Sequence, residues 1–179
     1  RIELNGYDIV KDPIDAKKSL GYVASEPTCY EEMTGYDYLE FVASIYGMTE
    51  GDFRRNSEYL CNRLQLNLDE LNNPISDYSH GMKQKVALIA ALSHEPKVLI
   101  MDEPFVGLDP KAVYDMKEFM KQMTKEGKTV FFSTHILDVA EKLCDRVAII
   151  KNGKIVKTGS MKDIKGDESL EQVFLELGE

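Results

Sequence analysis

Two adjacent carboxylates, Asp102 and Glu103, close the apolar run Val98-Leu99-Ile100-Met101 and are followed by Pro104. A short run of that composition predicts a strand over residues 97–101 that is covered on both faces. Open α/β sheets bind ligands at the carboxyl ends of their strands. Neighbouring side chains on a strand point apart, so one acid can serve a metal and the other a water. An acid so placed in a nucleotide-binding sheet holds Mg²⁺, directly or through water. The competing reading is a polar turn after a strand. Three further motifs surround the pair: Tyr78-Ser79-His80-Gly81-Met82-Lys83-Gln84 before it, and Gly107-Leu108-Asp109-Pro110 and Ser133-Thr134-His135 after it.

The elements that must carry these motifs follow from periodicity and punctuation. Residues 1–5 read as the end of a strand whose earlier partners lie outside the sequence, so the chain is expected to begin inside a fold. A helical piece over 13–18 leads to a strand over 20–24. Residues 35–66 are helical, with Tyr38, Leu39, Val42, Ile45 and Tyr46 on one face, and Phe53, Tyr59, Leu60 and Leu64 on a second helix. Residues 67–77, with Asn72-Asn73-Pro74, predict a loop, and residues 35–73 together a helical insert. A helix then fits 81–94, ended by Pro96. Asp109 as N-cap with Pro110 at the first helical position starts the next helix, and Gly127 ends it. Residues 129–132 predict a second buried strand, joined to the first in a right-handed βαβ unit. A helix over 137–143 precedes strands over 147–150 and 155–157, whose Asn152-Gly153 is a hairpin signal. The last segment, 168–177, predicts an amphipathic helix with Leu170, Val173, Phe174 and Leu177 inward.

Composition removes several classes of function. The chain has 179 residues, 43% hydrophobic and 30% charged, which suits one globular domain and not a disordered tail. Its net charge of -9 argues against broad nucleic-acid binding, which needs a cationic footprint. The apolar run over 86–92 is far short of the roughly 20 residues that span a bilayer, and the opening Arg-Ile-Glu-Leu-Asn predicts no signal peptide. Cys29, Cys61 and Cys144 are scattered and odd in number, as reduced thiols are.

The four motifs, in this order, resemble the ATP-binding subunits of ABC transporters, and the resemblance covers nearly all of residues 1–179. It implies an α/β fold, a P-loop NTPase-like core with a mostly parallel sheet, a helical subdomain at 35–73, and a core with terminal hairpin and helix at 74–179. Asp102 matches the Walker B aspartate associated with Mg²⁺. Glu103 matches the glutamate that polarises the attacking water, and His135 the switch histidine that contacts the γ-phosphate. Asp109 lies in the D-loop that joins the two sites of a dimer. Ser79 to Met82 match the signature loop, usually Leu-Ser-Gly-Gly-Gln, with Tyr78, His80 and Met82 departing from it. Ser79 and Gly81 remain: a hydroxyl at a helix N-terminus and a residue that lets backbone approach phosphate. Each has a plainer reading. Ser79 and Asp109 suit helix caps, and a lone histidine after a strand is usually structural. His80 and His94 are expected to face solvent or be incidental. Lys83 and Lys85 are expected to be solvated helix residues near an anionic site. Ser25 falls where the family has its Q-loop glutamine. Serine is too short to reach Mg²⁺ or water in the same way; Glu26 next to it is the alternative substitute, though its charge beside a triphosphate is unfavourable unless the metal compensates.

The resemblance implies ATP and Mg²⁺ as ligands, a homo- or heterodimer of ATPase domains, transmembrane subunits as partners, no nucleic acid, and a cytoplasmic place on the inner face of the membrane. A P-loop requires Gly-x-x-x-x-Gly-Lys-Ser/Thr between a strand and a helix. Gly127-Lys128-Thr129 does not qualify, since residue 122 is Gln and the triplet precedes a strand. The domain is therefore expected to be truncated before Arg1, without the opening strands and phosphate-loop helix, poorly active alone, and prone to associate through uncovered sheet. Alternatives are a soluble ABC ATPase outside transport, or a non-catalytic interaction module if the truncation is natural.

Overall fold

The computed structural model describes residues 1–177, which fall into two compact units: residues 1–133 and the residues from Thr134 onward. The first unit opens with a hairpin. Strands β1 (Glu3–Leu4) and β2 (Tyr7–Asp8) pair antiparallel across Asn5 and Gly6, whose φ values of 49° and 85° suit a tight two-residue turn. Residues 1–5 thus supply one arm of a local hairpin. Helix α1 (Pro13–Lys18) starts on a proline and leads into β3 (Leu20–Val23).

β3 is the first strand of a parallel sheet in the order β3-β4-β5, with β4 (Val98–Asp102) central and β5 (Thr129–Ser133) beside it. Tyr22, Ile100 and Phe131 lie in register across one face, and Val23, Met101 and Phe132 across the other. Val23, Leu99 and Met101 are buried. Helix α4 (His80–Leu92) packs so closely on β3 that a Cβ on Gly21 would stand 2.4 Å from the Ala91 carbonyl oxygen. The opposite face is open: Tyr22 is 58% exposed and Phe131 62%. β5 is therefore not the buried strand its composition predicts. An apolar strand reads the same whether or not something covers its second face.

Between β3 and β4 lie α2 (Gly35–Ile45) and α3 (Glu50–Leu64). The hydroxyls of Thr34 and Thr49 cap them, accepting from the Asp37 and Asp52 amides at 3.1 and 3.2 Å. α2 buries Gly35, Leu39 and Ala43, a row at four-residue spacing, and this leaves Ile45 exposed against expectation. The predicted loop holds two short 3₁₀ turns, Leu68–Asn72 and Ile75–Asp77, which bury Leu71 and Ile75. Helix α5 (Pro110–Lys125) buries Met116, Phe119, Met120 and Met123, one stripe at helical spacing.

The second unit contains α6 (Leu137–Leu143), the hairpin β6 (Arg146–Lys151) and β7 (Lys154–Ser160), α7 (Met161–Lys165) and α8 (Leu170–Glu176). Asn152 and Gly153 turn the hairpin at φ 49° and 73°. Ala140, Ile149, Ile164, Leu170 and Val173 form its core. Phe174, expected inward, is 43% exposed, so the buried stripe of α8 is Leu170 and Val173 with Leu177 packed against it. α7 was not foreseen from the sequence; the Ser160 hydroxyl caps it at the Asp163 amide.

Candidate functional site

Asp102 ends the central strand and Glu103 follows it, at the carboxyl edge where open α/β sheets bind ligands. β5 reaches the same edge, and its last residue, Ser133, lies opposite Asp102. The Ser133 hydroxyl donates to Asp102 Oδ1. The Glu103 amide donates to both the Ser133 hydroxyl and the Ser133 carbonyl, each at 3.2 Å. Glu103 takes φ 45°, a left-handed conformation that costs a non-glycine residue free energy and turns the chain out of the strand. The Val106 amide closes that turn on the Glu103 carbonyl at 3.2 Å, and Phe105 meets Phe132 edge-on with centroids 5.7 Å apart. Ser25 follows β3 by two residues, at the same edge of the sheet, and is half-buried.

Ser79 caps α4, accepting from the Met82 amide at 3.3 Å, so its hydroxyl and the first-turn amides gather at one helix end. Gly81 lies in that first turn, where a Cβ would come within 3.8 Å of Leu108. Gly107, at φ 74°, faces His80: a Cβ there would stand 3.0 Å from the imidazole Cδ2. The Ser79–Gly81 loop and the Gly107–Asp109 loop of one chain are therefore neighbours. Asp109 caps α5 through Oδ1, which accepts from Lys111 and Ala112 at 2.9 and 3.0 Å. The Ala112 amide, with the Lys111 amide and the charges of Lys85 and Lys111, holds its carboxyl below the usual range.

His135 belongs to the second unit, exposed in the segment that leads into α6. Asp102, Glu103, Ser25, Ser79, Gly81 and Asp109 all belong to the first.

Several residues depart from expectation. Lys83 is not merely solvated: its ammonium pairs with Glu31 at 2.5 Å, and Lys85 donates to the Gln65 carbonyl at 3.2 Å. His94 is not incidental. Its ring stacks on Tyr46 at 3.7 Å and 5°, and Nε2 lies 3.1 Å from the Leu20 carbonyl oxygen, so it ties α2 and α4 to the start of β3. Burial pushes its pKa down. Sequence reasoning also missed Ser133 as a partner of the acids, and Gln84. Only their place in the motifs marked them, because their partners are distant in the chain.

The donor set fits Mg²⁺. That ion binds through one or two carboxylates and keeps its other positions for phosphate and water. Asp102 offers an oriented carboxylate, while the described residues contain no cluster of three or more His, Cys, Asp or Glu to form an all-protein cage.

Comparison with known proteins gives the family and the fold. A protein-family profile described as "AAA domain, putative AbiEii toxin, Type IV TA system" matches residues 7–140. The chain is 32% identical over 178 residues to the ABC transporter ATP-binding protein NatA of Bacillus subtilis, covering 97% of this chain and 72% of that one. It is 35% identical over 181 residues to the ABC-type transporter ATP-binding protein EcsA of the same organism, covering 98% and 73%. The chain belongs to the family of ABC transporter ATP-binding subunits. A solved structure described as the ATP binding subunit of an ABC transporter superposes with a TM-score of 0.89 at 34% identity, over 98% of this chain and 75% of that one. The ABC ATP-binding subunit fold is therefore the fold of this chain. Other relatives are longer, and the chain spans 46% and 52% of two of them.

Proposed function

We propose that the protein containing this chain binds and hydrolyses ATP, and that hydrolysis powers movement of a substrate across a membrane. The observation that carries this reading is the Asp102–Glu103 pair at the end of the central strand, held from the next strand by Ser133. Asp102 would hold Mg²⁺, which neutralises phosphate charge when bound. Glu103, turned out of the strand, orients and polarises the water that attacks the γ-phosphate in line. His135 contacts the γ-phosphate, and Ser25 stands at the Q-loop position. Two such domains pair head to tail. Ser79 and Gly81 then present a hydroxyl and free amides to the partner's triphosphate, and Asp109 joins the two sites.

No helix of the described residues is long and apolar enough to cross a membrane; transmembrane subunits are the proposed partners. The helical insert at 35–73 is the proposed contact, with the protein on the cytoplasmic face of the membrane. Tyr30, 60% exposed, and Phe41, 42% exposed, meet edge-on at 5.9 Å and support an aromatic contact face there. Residues 1–179 contain no Gly-x-x-x-x-Gly-Lys-Ser/Thr. Charge-assisted hydrogen bonds of that loop contribute about 1.5–3 kcal/mol each, against about 8 kcal/mol for micromolar binding. The 179-residue chain alone is therefore proposed to turn over little ATP.

The test is Glu103→Gln in the full-length protein. ATP binding is retained while turnover falls about 10²- to 10⁴-fold; undiminished turnover would overturn the assignment.

A further inference from the structure

Gln84 lies one turn into α4, beyond the Ser79 cap, and is only 2% exposed. A polar side chain that deep needs a partner. Its Nε2 donates to the Pro104 carbonyl at 2.7 Å. A carbonyl can only accept, so this bond fixes which way the amide points. Its Oε1 is buried with no hydrogen-bond partner among the described residues. Gln84 also lines a cavity of about 20 Å³ together with Gly81, Leu108 and Ala112. That is room for one water.

Pro104 is fully buried and directly follows Glu103. The backbone around Glu103 is thus pinned at two points. Ser133 holds the Glu103 amide from β5, and Gln84 holds the next carbonyl from α4. The second pin comes from the helix whose N-terminus is the Ser79–Gly81 loop, and it passes beside Leu108 of the Gly107–Asp109 loop. Packed interiors transmit small displacements because they have little free volume to absorb them.

We infer that Gln84 is a positioning residue that carries engagement of the Ser79–Gly81 loop to the backbone of Glu103. This rests on the ATPase reading above. In a head-to-tail pair, the Ser79 loop and Glu103 of one chain serve different nucleotides. The Gln84–Pro104 bond then makes turnover at one nucleotide respond to closure around the other. A side chain of similar length without a donor fills the same space and leaves the Pro104 carbonyl unheld.

The experiment uses the full-length protein with Gln84→Met and Gln84→Glu, each also combined with Glu103→Gln. For Gln84→Met we expect kcat to fall about tenfold with KM for ATP within about threefold, since misplacement of a catalytic group lowers rate more than binding. In the Glu103→Gln background, ATP-driven dimerisation measured by sedimentation stays unchanged, a result that loss of folding does not produce. Gln84→Glu recovers its rate relative to wild type as pH falls from about 8 to about 6, because a buried protonated carboxyl can again donate to the carbonyl. This arm decides the matter if Gln84→Met does not fold. A kcat within twofold of wild type, dimerisation lost in step with kcat, or a Gln84→Glu rate ratio flat with pH would each overturn the inference. Undiminished turnover in Glu103→Gln alone would instead remove the reading beneath it.

Discussion

The Ser133 hydroxyl is shared by both acids of the site: it donates to Asp102 Oδ1 and accepts the Glu103 amide at 3.2 Å. One hydroxyl from β5 thus sets the rotamer of one carboxylate and the backbone of the other. Partners of this kind orient metal ligands, and removing one commonly lowers metal affinity ~10–100-fold. Ser133→Ala in the full-length Glu103→Gln protein is therefore predicted to weaken the Mg²⁺ dependence of ATP binding toward the lower end of that range. Binding without divalent cation stays as before. Calorimetric titration with and without Mg²⁺ separates the two, and equal losses in both would count against the orienting role.

His94 supplies a pH prediction. Its folded pKa lies below the ordinary 6.5, first because burial disfavours the charged ring, partly offset by the Leu20 carbonyl. Tyr46 is the titratable group stacked on it. The unfolded chain therefore binds the proton more readily, and stability falls as pH drops through about 6.5 toward the folded pKa. The melting temperature should decline over that window, and His94→Phe, which keeps a ring against Tyr46, should flatten the decline. An identical pH profile in the variant would assign the acid sensitivity elsewhere.

Gly21→Ala tests the contact of β3 with α4. The added Cβ would lie 2.4 Å from the Ala91 carbonyl oxygen and 3.2 Å from Pro96 Cγ. Backbone on one side and a rigid ring on the other leave little to yield. Overpacking of this kind costs about 1–3 kcal/mol. A lower urea midpoint with unchanged slope is the expected result, and an unchanged midpoint would mean that the strand and helix are free to separate.

The open face of the sheet predicts association of the 179-residue chain. Tyr22, Ile100 and Phe131 stand in register across parallel strands, which are ordinarily covered on both faces. Light scattering should show concentration-dependent oligomers, diminished by Phe131→Thr, which keeps β propensity while removing apolar area. A dilution-resistant monomer would show that the exposed row does not drive contact.

The elements that carry the candidate site were legible because their signals are local. The apolar run ending in Asp102-Glu103, the Asp109-Pro110 helix start and the Asn152-Gly153 turn each lie within a few residues of chain. Asn5-Gly6 is the same signal as Asn152-Gly153, and the structure turns a hairpin at both. The remaining differences have a common cause. Phe131 exposure, the His94–Tyr46 stack and the Gln84–Pro104 bond all depend on which distant element lies opposite. Periodicity shows that a residue suits an interior, but not what faces it there.

β3 ends at Val23, and the strand beside it begins only at Val98, with the helices α2, α3 and α4 spelled out in between. On the ribosome, the edge of β3 that β4 takes must therefore stay open until Val98–Asp102 has emerged. Loop closure over such a distance grows only slowly more costly, ~0.6 kcal/mol for each doubling of length, so the delay bears on timing more than on final stability. During that interval the nascent chain offers a free strand edge, and when β4 arrives to fill it the far edge of β4 stays open in turn until Thr129–Ser133 has followed.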